Sequence, residues 1–288
     1  MRDLLREARH HLGRAGVDPS DAERLARGLL PEGTILELVD HPPEDFEEAF
    51  RAAVARRAAR EPLQLILGRV GFRELVLHTG PGVFIPRVET ELVSGVAIDA
   101  ARTAVSLRGS ARVVDLCTGS GAIAAALASE VAGARVWAVE LDPAALDLAA
   151  RNLAGLGVAL VPGDAAVALP DLDGTIDVVV ANPPYVPPDG VPRDPEVRDW
   201  DPSHALYGGG PDGLDLPRAI MRRAAGLLRP GGVLVMEHAD VQGEAVRAEL
   251  AALGAFGDVV TLPDLTGRDR MVRATRLSAV PEVGDCPT

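Results

Sequence analysis

Asn182, Pro183, Pro184 and Tyr185 follow directly on an apolar, largely β-branched run from Ile176 to Ala181. A run of that length and composition predicts a strand buried on both faces of a parallel sheet, whose C-terminal end opens onto a binding crevice. Each proline fixes its own φ, lacks an N–H and biases the preceding residue towards an extended conformation. Asn182 and Pro183 are therefore held open rather than helical. Two acceptors, the Asn182 side-chain oxygen and the Pro183 carbonyl, can point together at one planar NH2 group, and the ring of Tyr185 offers it a flat face. That arrangement suits methyl transfer to nitrogen.

A methyl donor needs a second site. Asp115-Leu-Cys117-Thr118-Gly119-Ser120-Gly121 joins a short apolar strand to an alanine-rich helix, and its two glycines let the backbone approach a ligand closely. Taken alone, such a turn is weak evidence, since a tight strand-to-helix connection without a ligand has the same form. Glu140 changes the reading, because it ends the next strand about 20 positions after Gly119, where a carboxylate can accept from both ribose hydroxyls of a nucleoside. Asp164 ends the strand after that, where it can accept from an adenine amino group or simply serve as a turn residue or helix cap. A nicotinamide cofactor fits less well: the third small position of the glycine pattern is Ala124, and no His is placed for hydride relay. Joined to Asn182, Pro183, Pro184 and Tyr185, the set points to S-adenosylmethionine.

Strands and helices must position these groups. Alternating elements from Arg112 onward predict an α/β, Rossmann-like methyltransferase sheet: strands at 112–116, 135–140, 156–161, 176–181 and 232–237, with helices opening near Ala122, Pro143, Pro217 and Val241. Two closing strands, near 255–262 and 271–275, are expected as an antiparallel hairpin at one edge. Before the sheet, residues 1–60 read as a small helical domain. Leu4, Leu5, Ala8 and Leu12 keep helical spacing, Asp18 and Pro19 suit the N-cap and first position of a second helix through Leu30, and 43–60 makes a third. That domain is either a docking module for a protein partner or a structural cap. Residues 61–87 are expected as a β-hairpin linker, with short strands at 63–72, 75–78 and 80–86, followed by the methyltransferase domain at 88–280, opened by a helix at 88–107, and a tail at 281–288.

Composition narrows the partners. The chain of 288 residues carries 47% hydrophobic residues and a formal net charge of −13, so it has ample core and no electrostatic footprint for tracking a phosphate backbone. All 29 basic residues are Arg, which excludes lysine Schiff-base chemistry and a P-loop lysine. With only Cys117 and Cys286, the chain does not have the cysteine count of a disulfide framework, and a reducing cytoplasm fits. The six histidines show no metal-ligand spacing, and no stretch approaches the ~18 apolar residues of a membrane span. The expectation is a cytoplasmic, monomeric enzyme without metal, membrane or direct nucleic-acid contact.

Five segments together, 86–91, 115–121, 182–185, 205–215 and 264–270, resemble the release-factor glutamine methyltransferases of PrmC/HemK type. The resemblance runs in order from about Glu61 to Arg276. It implies transfer of a methyl group from S-adenosylmethionine to N5 of the glutamine in the Gly-Gly-Gln motif of class I peptide-chain release factors. By position it places cofactor contacts on Asp115, Cys117, Thr118, Gly119, Ser120, Gly121, Glu140, Asp164 and Asn182. It places substrate contacts on Phe84, Asn182, Pro183, Pro184 and Tyr185, with Asn182, Pro183 and Tyr185 at the chemistry. The chain departs from the family pattern at Cys117 (usually Gly), Val88 (commonly Pro) and Ala239 (commonly Gly). Rivals sharing parts of the pattern are a glutamine methyltransferase acting on a ribosomal protein, a DNA adenine N6-methyltransferase that flips its base, and a non-catalytic nucleoside-binding module.

Overall fold

A computed structural model describes residues 1–31, 34 and 42–278. The expected tail therefore lies outside the described residues, as does Cys286. Among the described residues the chain opens with α1 (Arg2–Arg14), α2 (Asp21–Leu29) and α3 (Phe46–Ala58). Leu5, Leu12, Leu25 and Phe50 bury the apolar stripes of these helices against one another, and Phe46 stacks on Phe50 with centroids 5.6 Å apart. The second helix starts later than Asp18 and Pro19 suggest. The Asp18 carboxylate accepts from the Ser20 N–H at 2.8 Å, which closes a turn of its own and leaves Ser20 at the cap.

The strand expected from Leu63 is a correction. Leu63–Leu67 forms a short helix, α4, closed by Gly68 in the left-handed region. Its apolar run has somewhere to go: Leu63, Ile66 and Leu67 pack against the core of the first three helices. Leu and Gln are good helix formers, so local propensity and packing on that core both favour helix over the expected strand. The hairpin then consists of β1 (Arg69–Phe72) and β2 (Leu75–His78), paired antiparallel from Arg69 opposite His78 to Phe72 opposite Leu75. No strand forms over 80–86, where prolines and glycines leave open loop instead.

After α5 (Val88–Arg108) come β3 (Ala111–Leu116), α6 (Ala122–Glu130), β4 (Ala134–Glu140), α7 (Pro143–Asn152), β5 (Ala159–Pro162) and β6 (Ile176–Ala181). A short helix that the sequence pattern does not announce, α8 (Pro195–Trp200), is followed by α9 (Asp215–Leu227), β7 (Leu228–Glu237), α10 (Gly243–Leu253), β8 (Phe256–Pro263) and β9 (Asp269–Arg276). The seven-stranded sheet has the order β5-β4-β3-β6-β7-β9-β8, parallel from β5 to β7 and antiparallel for the final hairpin. All six residues of β6 are buried. Its side chains alternate between two cores: Val178 and Val180 meet α5 and α6, while Val179 and Ala181 meet α9 and α10. Each fully buried Val or Ile there stabilises the sheet by ~1.5–3 kcal/mol. Strand order reverses between β3 and β6, so the crevice opens at their C-terminal ends, beside both the glycine turn and Asn182. No helix of the described residues is long and apolar enough to cross a membrane.

Candidate active site

A cavity of about 440 Å³ lies over those strand ends, well inside the usual size range for small-molecule sites. Cys117, Thr118, Gly119 and Ser120 from the first turn, Glu140, Gly163 and Asp164, and the run from Asn182 to Tyr185 all line it. Phe84 closes one side. Asp115 and Gly121, expected to touch the cofactor, are not among its walls; both act from behind the turn.

Asp115 is fully buried at the end of β3, where its Oδ2 accepts from the Thr118 hydroxyl and from the Ala124 N–H at 3.1 Å. One carboxylate thereby ties both ends of the turn together. Burial pushes its acid up to about 7, with the Glu140 charge adding to the effect and the two hydrogen bonds opposing it. Gly121 caps α6 at φ +84°, and a Cβ there would sit 3.0 Å from Leu153. Gly119, at φ +57°, is different: a Cβ would meet no protein atom within 4 Å, so its open side is the cavity itself.

Glu140 is held rather than free. Its Oε2 accepts from the Gly119 N–H at 2.8 Å, and its Oε1 from the Leu141 and Asp142 N–H groups at 2.8 and 2.9 Å. Three backbone donors fix the carboxylate at the cavity edge, with lone pairs remaining for a ligand. Asp164 is exposed, lines the cavity and accepts from the Ala166 N–H at 2.8 Å, so it serves as a turn residue while still facing the space. Cys117 adopts φ +62°, the region glycine occupies without strain, which explains why Gly is usual there. Burial, with Glu140, Asp115 and Asp164 nearby, pushes its thiol well above the usual range, so it stays protonated and unreactive.

The opposite wall is built from side chains. Asn182 Nδ2 donates to Thr90 Oγ1 at 3.2 Å, the Thr90 hydroxyl donates to Glu237 Oε2 at 2.9 Å, and the Tyr185 hydroxyl donates to Glu237 Oε1 at 3.1 Å. Burial pushes the Tyr185 phenol far up, with the Glu237 charge adding to it, so this tyrosine contributes a ring and a hydroxyl but no base. Gln242 holds the loop from behind, donating to the carbonyls of Tyr185 and Asp212 at 2.8 and 2.9 Å. The glycines of 205–215 have a plain steric role. A Cβ on Gly208 would lie 2.0 Å from the Gly213 carbonyl and 2.6 Å from that of Pro184, and one on Gly213 would lie 2.3 Å from the Tyr185 carbonyl. Only glycine lets this loop press against Pro184 and Tyr185. Arg87 sits over the Phe84 ring at 5.1 Å and pairs with Asp201, fixing Phe84 at the cavity mouth.

Thr90, Glu237, Arg270 and Gln242 do not stand out individually in the sequence. Thr90 and Arg270 fall inside recognised segments without a role, and the one signal for Glu237 is a carboxylate ending the buried strand next to that of Asn182. Asp264 explains its own segment: it accepts from Thr266 and the Arg268 N–H and pairs with Arg270, which holds the acid well below the usual carboxylate range.

Residues 113–193 match the model of a methyltransferase domain, and residues 3–68 match that of the PrmC N-terminal domain. The second match ends where α4 ends, in agreement with the packing of α4 on the helical unit. A release factor glutamine methyltransferase of Streptomyces coelicolor is 50% identical, covering 94% of this chain and 96% of that relative. The chain belongs to the release factor glutamine methyltransferase family. A family relative from Mycobacterium tuberculosis is 43% identical over 95% of the chain and 91% of its own length. A 4-amino-L-phenylalanine/4-methylamino-L-phenylalanine methyltransferase of Streptomyces pristinaespiralis is also 43% identical, over 77% of the chain and 76% of its length. Among solved structures, the hMettl16 catalytic domain matches with a TM-score of 0.56 at 18% identity, covering 80% of this chain and 83% of that one, which bears on the fold alone.

Proposed function

We propose that this methyltransferase transfers a methyl group from S-adenosylmethionine to N5 of the glutamine in the Gly-Gly-Gln motif of class I peptide-chain release factors. The observation that carries the reading is the Asn182 carboxamide. Its nitrogen is engaged by Thr90, which leaves its oxygen for the cavity that the residue lines. A glutamine amide is a poor nucleophile because its lone pair is delocalised into the carbonyl. Two fixed acceptors, Asn182 Oδ1 and the Pro183 carbonyl, hold the NH2 group in one orientation, and their dipoles meet positive charge as it grows on nitrogen. The named substrate of the Streptomyces pristinaespiralis relative fits the same logic, since an aromatic amine also has a conjugated lone pair.

The glycine-turn wall suits the cofactor. Glu140 is placed for ribose hydroxyls, Asp164 for the adenine amino group, and the open face of Gly119 for close approach of the ligand, while the first-turn N–H groups of α6 favour a carboxylate. When bound, S-adenosylmethionine supplies a methyl group made electrophilic by its sulfonium. Phe84 and Tyr185 wall the glutamine side chain, and Pro184 keeps the loop extended.

The helical unit reads as the docking module. It has its own core and reaches the catalytic part through ion pairs to Glu196 of α8: Arg57, itself paired with Asp21 of α2 at 2.8 Å, joins Glu196 at 2.9 Å, and Arg60 joins it at 2.6 Å. Removing residues 1–60 is expected to impair methylation of intact release factor far more than cofactor affinity. Comparable loss of both would mark these helices as a structural cap. The function itself is tested by offering labelled S-adenosylmethionine with a release factor, a ribosomal protein, duplex DNA and 4-amino-L-phenylalanine side by side. Label is expected on the release-factor glutamine; preferential label on any of the others would overturn the reading.

A further inference from the structure

Glu237 is a carboxylate without an ion pair among the described residues, 2% exposed, at the end of β7. What it holds instead is two hydroxyls, those of Thr90 and Tyr185. Proton counting fixes the direction of the chain that runs from it to Asn182. An ionised carboxylate only accepts, so the single hydrogen of Thr90 points at Glu237. Thr90 Oγ1 then has only lone pairs to offer Asn182, and the carboxamide must turn its NH2 group towards Thr90. Its oxygen is left on the cavity side. The opposite rotamer would set Oδ1 against an oxygen with no hydrogen to give.

We propose that Thr90 and Glu237 are positioning residues for methyl transfer: the Glu237 carboxylate orients the Thr90 hydroxyl, which locks the Asn182 carboxamide with its oxygen towards the accepting nitrogen. The proposal rests on the functional reading above and deepens it, because an amide donor needs an acceptor at that point and a flipped Asn182 would present a donor. The same carboxylate fixes the Tyr185 hydroxyl, so one buried charge sets two neighbouring groups of the wall. The charged and titratable groups around Glu237 are Arg270 from β9, Glu89 from α5, Tyr185 from the loop after β6, and His238 next to it in the chain, whose ring Nδ1 is engaged with the Ala239 carbonyl. Arg270 favours the charged form, whereas burial and Glu89 oppose it, and burial weighs most, raising the acid to about 7. Below that pH, Glu237 carries a hydrogen of its own to give to Thr90. The Thr90 hydrogen is then free to turn to Asn182, and the lock is lost. Turnover therefore falls as pH drops through the Glu237 ionisation.

The experiment compares single-turnover methylation of release factor by the full-length wild type and by Thr90→Val, Thr90→Ser, Asn182→Ala, the Thr90→Val/Asn182→Ala double variant and Glu237→Gln, beside S-adenosylmethionine titrations. Thr90→Val is expected to lower the rate roughly 10–100-fold with little change in cofactor affinity, and Thr90→Ser to restore most of it. In the Asn182→Ala background the valine change is expected to cost little more, since its effect passes through Asn182. At saturating cofactor the wild-type rate should rise with pH through the Glu237 ionisation near 7, and Glu237→Gln should be slow and lack that rise. A Thr90→Val rate equal to wild type, a full further loss in the double variant, or an acid limb that survives in Glu237→Gln would each overturn the proposal. Should Thr90→Val fail to fold, Thr90→Ser and the two pH profiles still decide it. Because wild type is the reference throughout, its failure to methylate release factor would sink the functional reading instead.

Discussion

The two walls of the cavity are made of different material. On the side of β3, β4 and β5, the carboxylates facing the space are held by backbone, Glu140 by three N–H donors and Asp164 by one, while the glycine turn takes its shape from its own dihedrals and from the Asp115 carboxylate behind it. On the side of β6 and β7, Asn182 and Tyr185 are held by a chain of side chains reaching into α5 and β7 and flanked by Arg270 from β9. A backbone-built wall suits a cofactor of constant shape. A side-chain network suits a reacting group that must be aimed, since hydroxyl and amide orientations can be set one by one.

The largest expected effect contrasts one glycine from each wall. Gly213→Ala puts a Cβ 2.3 Å from the Tyr185 carbonyl at φ +75°, so a destabilisation of at least ~3 kcal/mol is expected in denaturant unfolding. Gly119→Ala meets no protein atom. It should cost only the ~1–2 kcal/mol of a left-handed alanine and show its main loss in S-adenosylmethionine affinity. Unchanged S-adenosylmethionine affinity in Gly119→Ala would mean that its open face is not reserved for a ligand.

Next in size, Asn182→Ala should lower single-turnover methylation by at least ~10²-fold with near-normal cofactor affinity. Glu140→Ala should weaken cofactor binding by ~2 kcal/mol, because it removes a charged acceptor, while calorimetry on Asn182→Ala should show little change. The smallest effect concerns pH and stability. Asp115 is raised to about 7 in the folded chain, so its favourable contribution is complete below its ordinary acid range and is lost as pH rises through about 7. Thermal unfolding of ligand-free Asp115→Asn should accordingly vary less between about pH 5 and pH 8 than that of wild type. An equally steep dependence would show that Asp115 is not the group responsible.

The difference between the walls also explains which parts of the site are legible in the sequence. Strand periodicity, the glycine turn and a carboxylate about 20 positions later are local patterns, so β3, β4, β6 and the Glu140 site can be read from the residues alone. Asn182 to Tyr185 is equally plain, because two prolines after a buried strand leave few conformations. Thr90 and Glu237 are 147 positions apart, and nothing local joins them. For α4 the case is different: a short apolar run such as Leu63 to Leu67 fits strand or helix by periodicity alone, and the helical core that buries it is not local to it. The tight spacing of Gly208 and Gly213 against Pro184 and Tyr185 is likewise visible as a motif, but its reason is a contact between loops.

The two walls act separately, one binding and one aiming. S-adenosylmethionine affinity and the single-turnover rate at saturating cofactor, measured for Glu140→Ala, Asn182→Ala and the double variant, decide whether they do. Glu140→Ala is expected to move affinity alone, Asn182→Ala the rate alone, and the double variant to show both losses at their single-variant sizes. A large fall in cofactor affinity from Asn182→Ala, or a large fall in the saturated rate from Glu140→Ala, would contradict that separation.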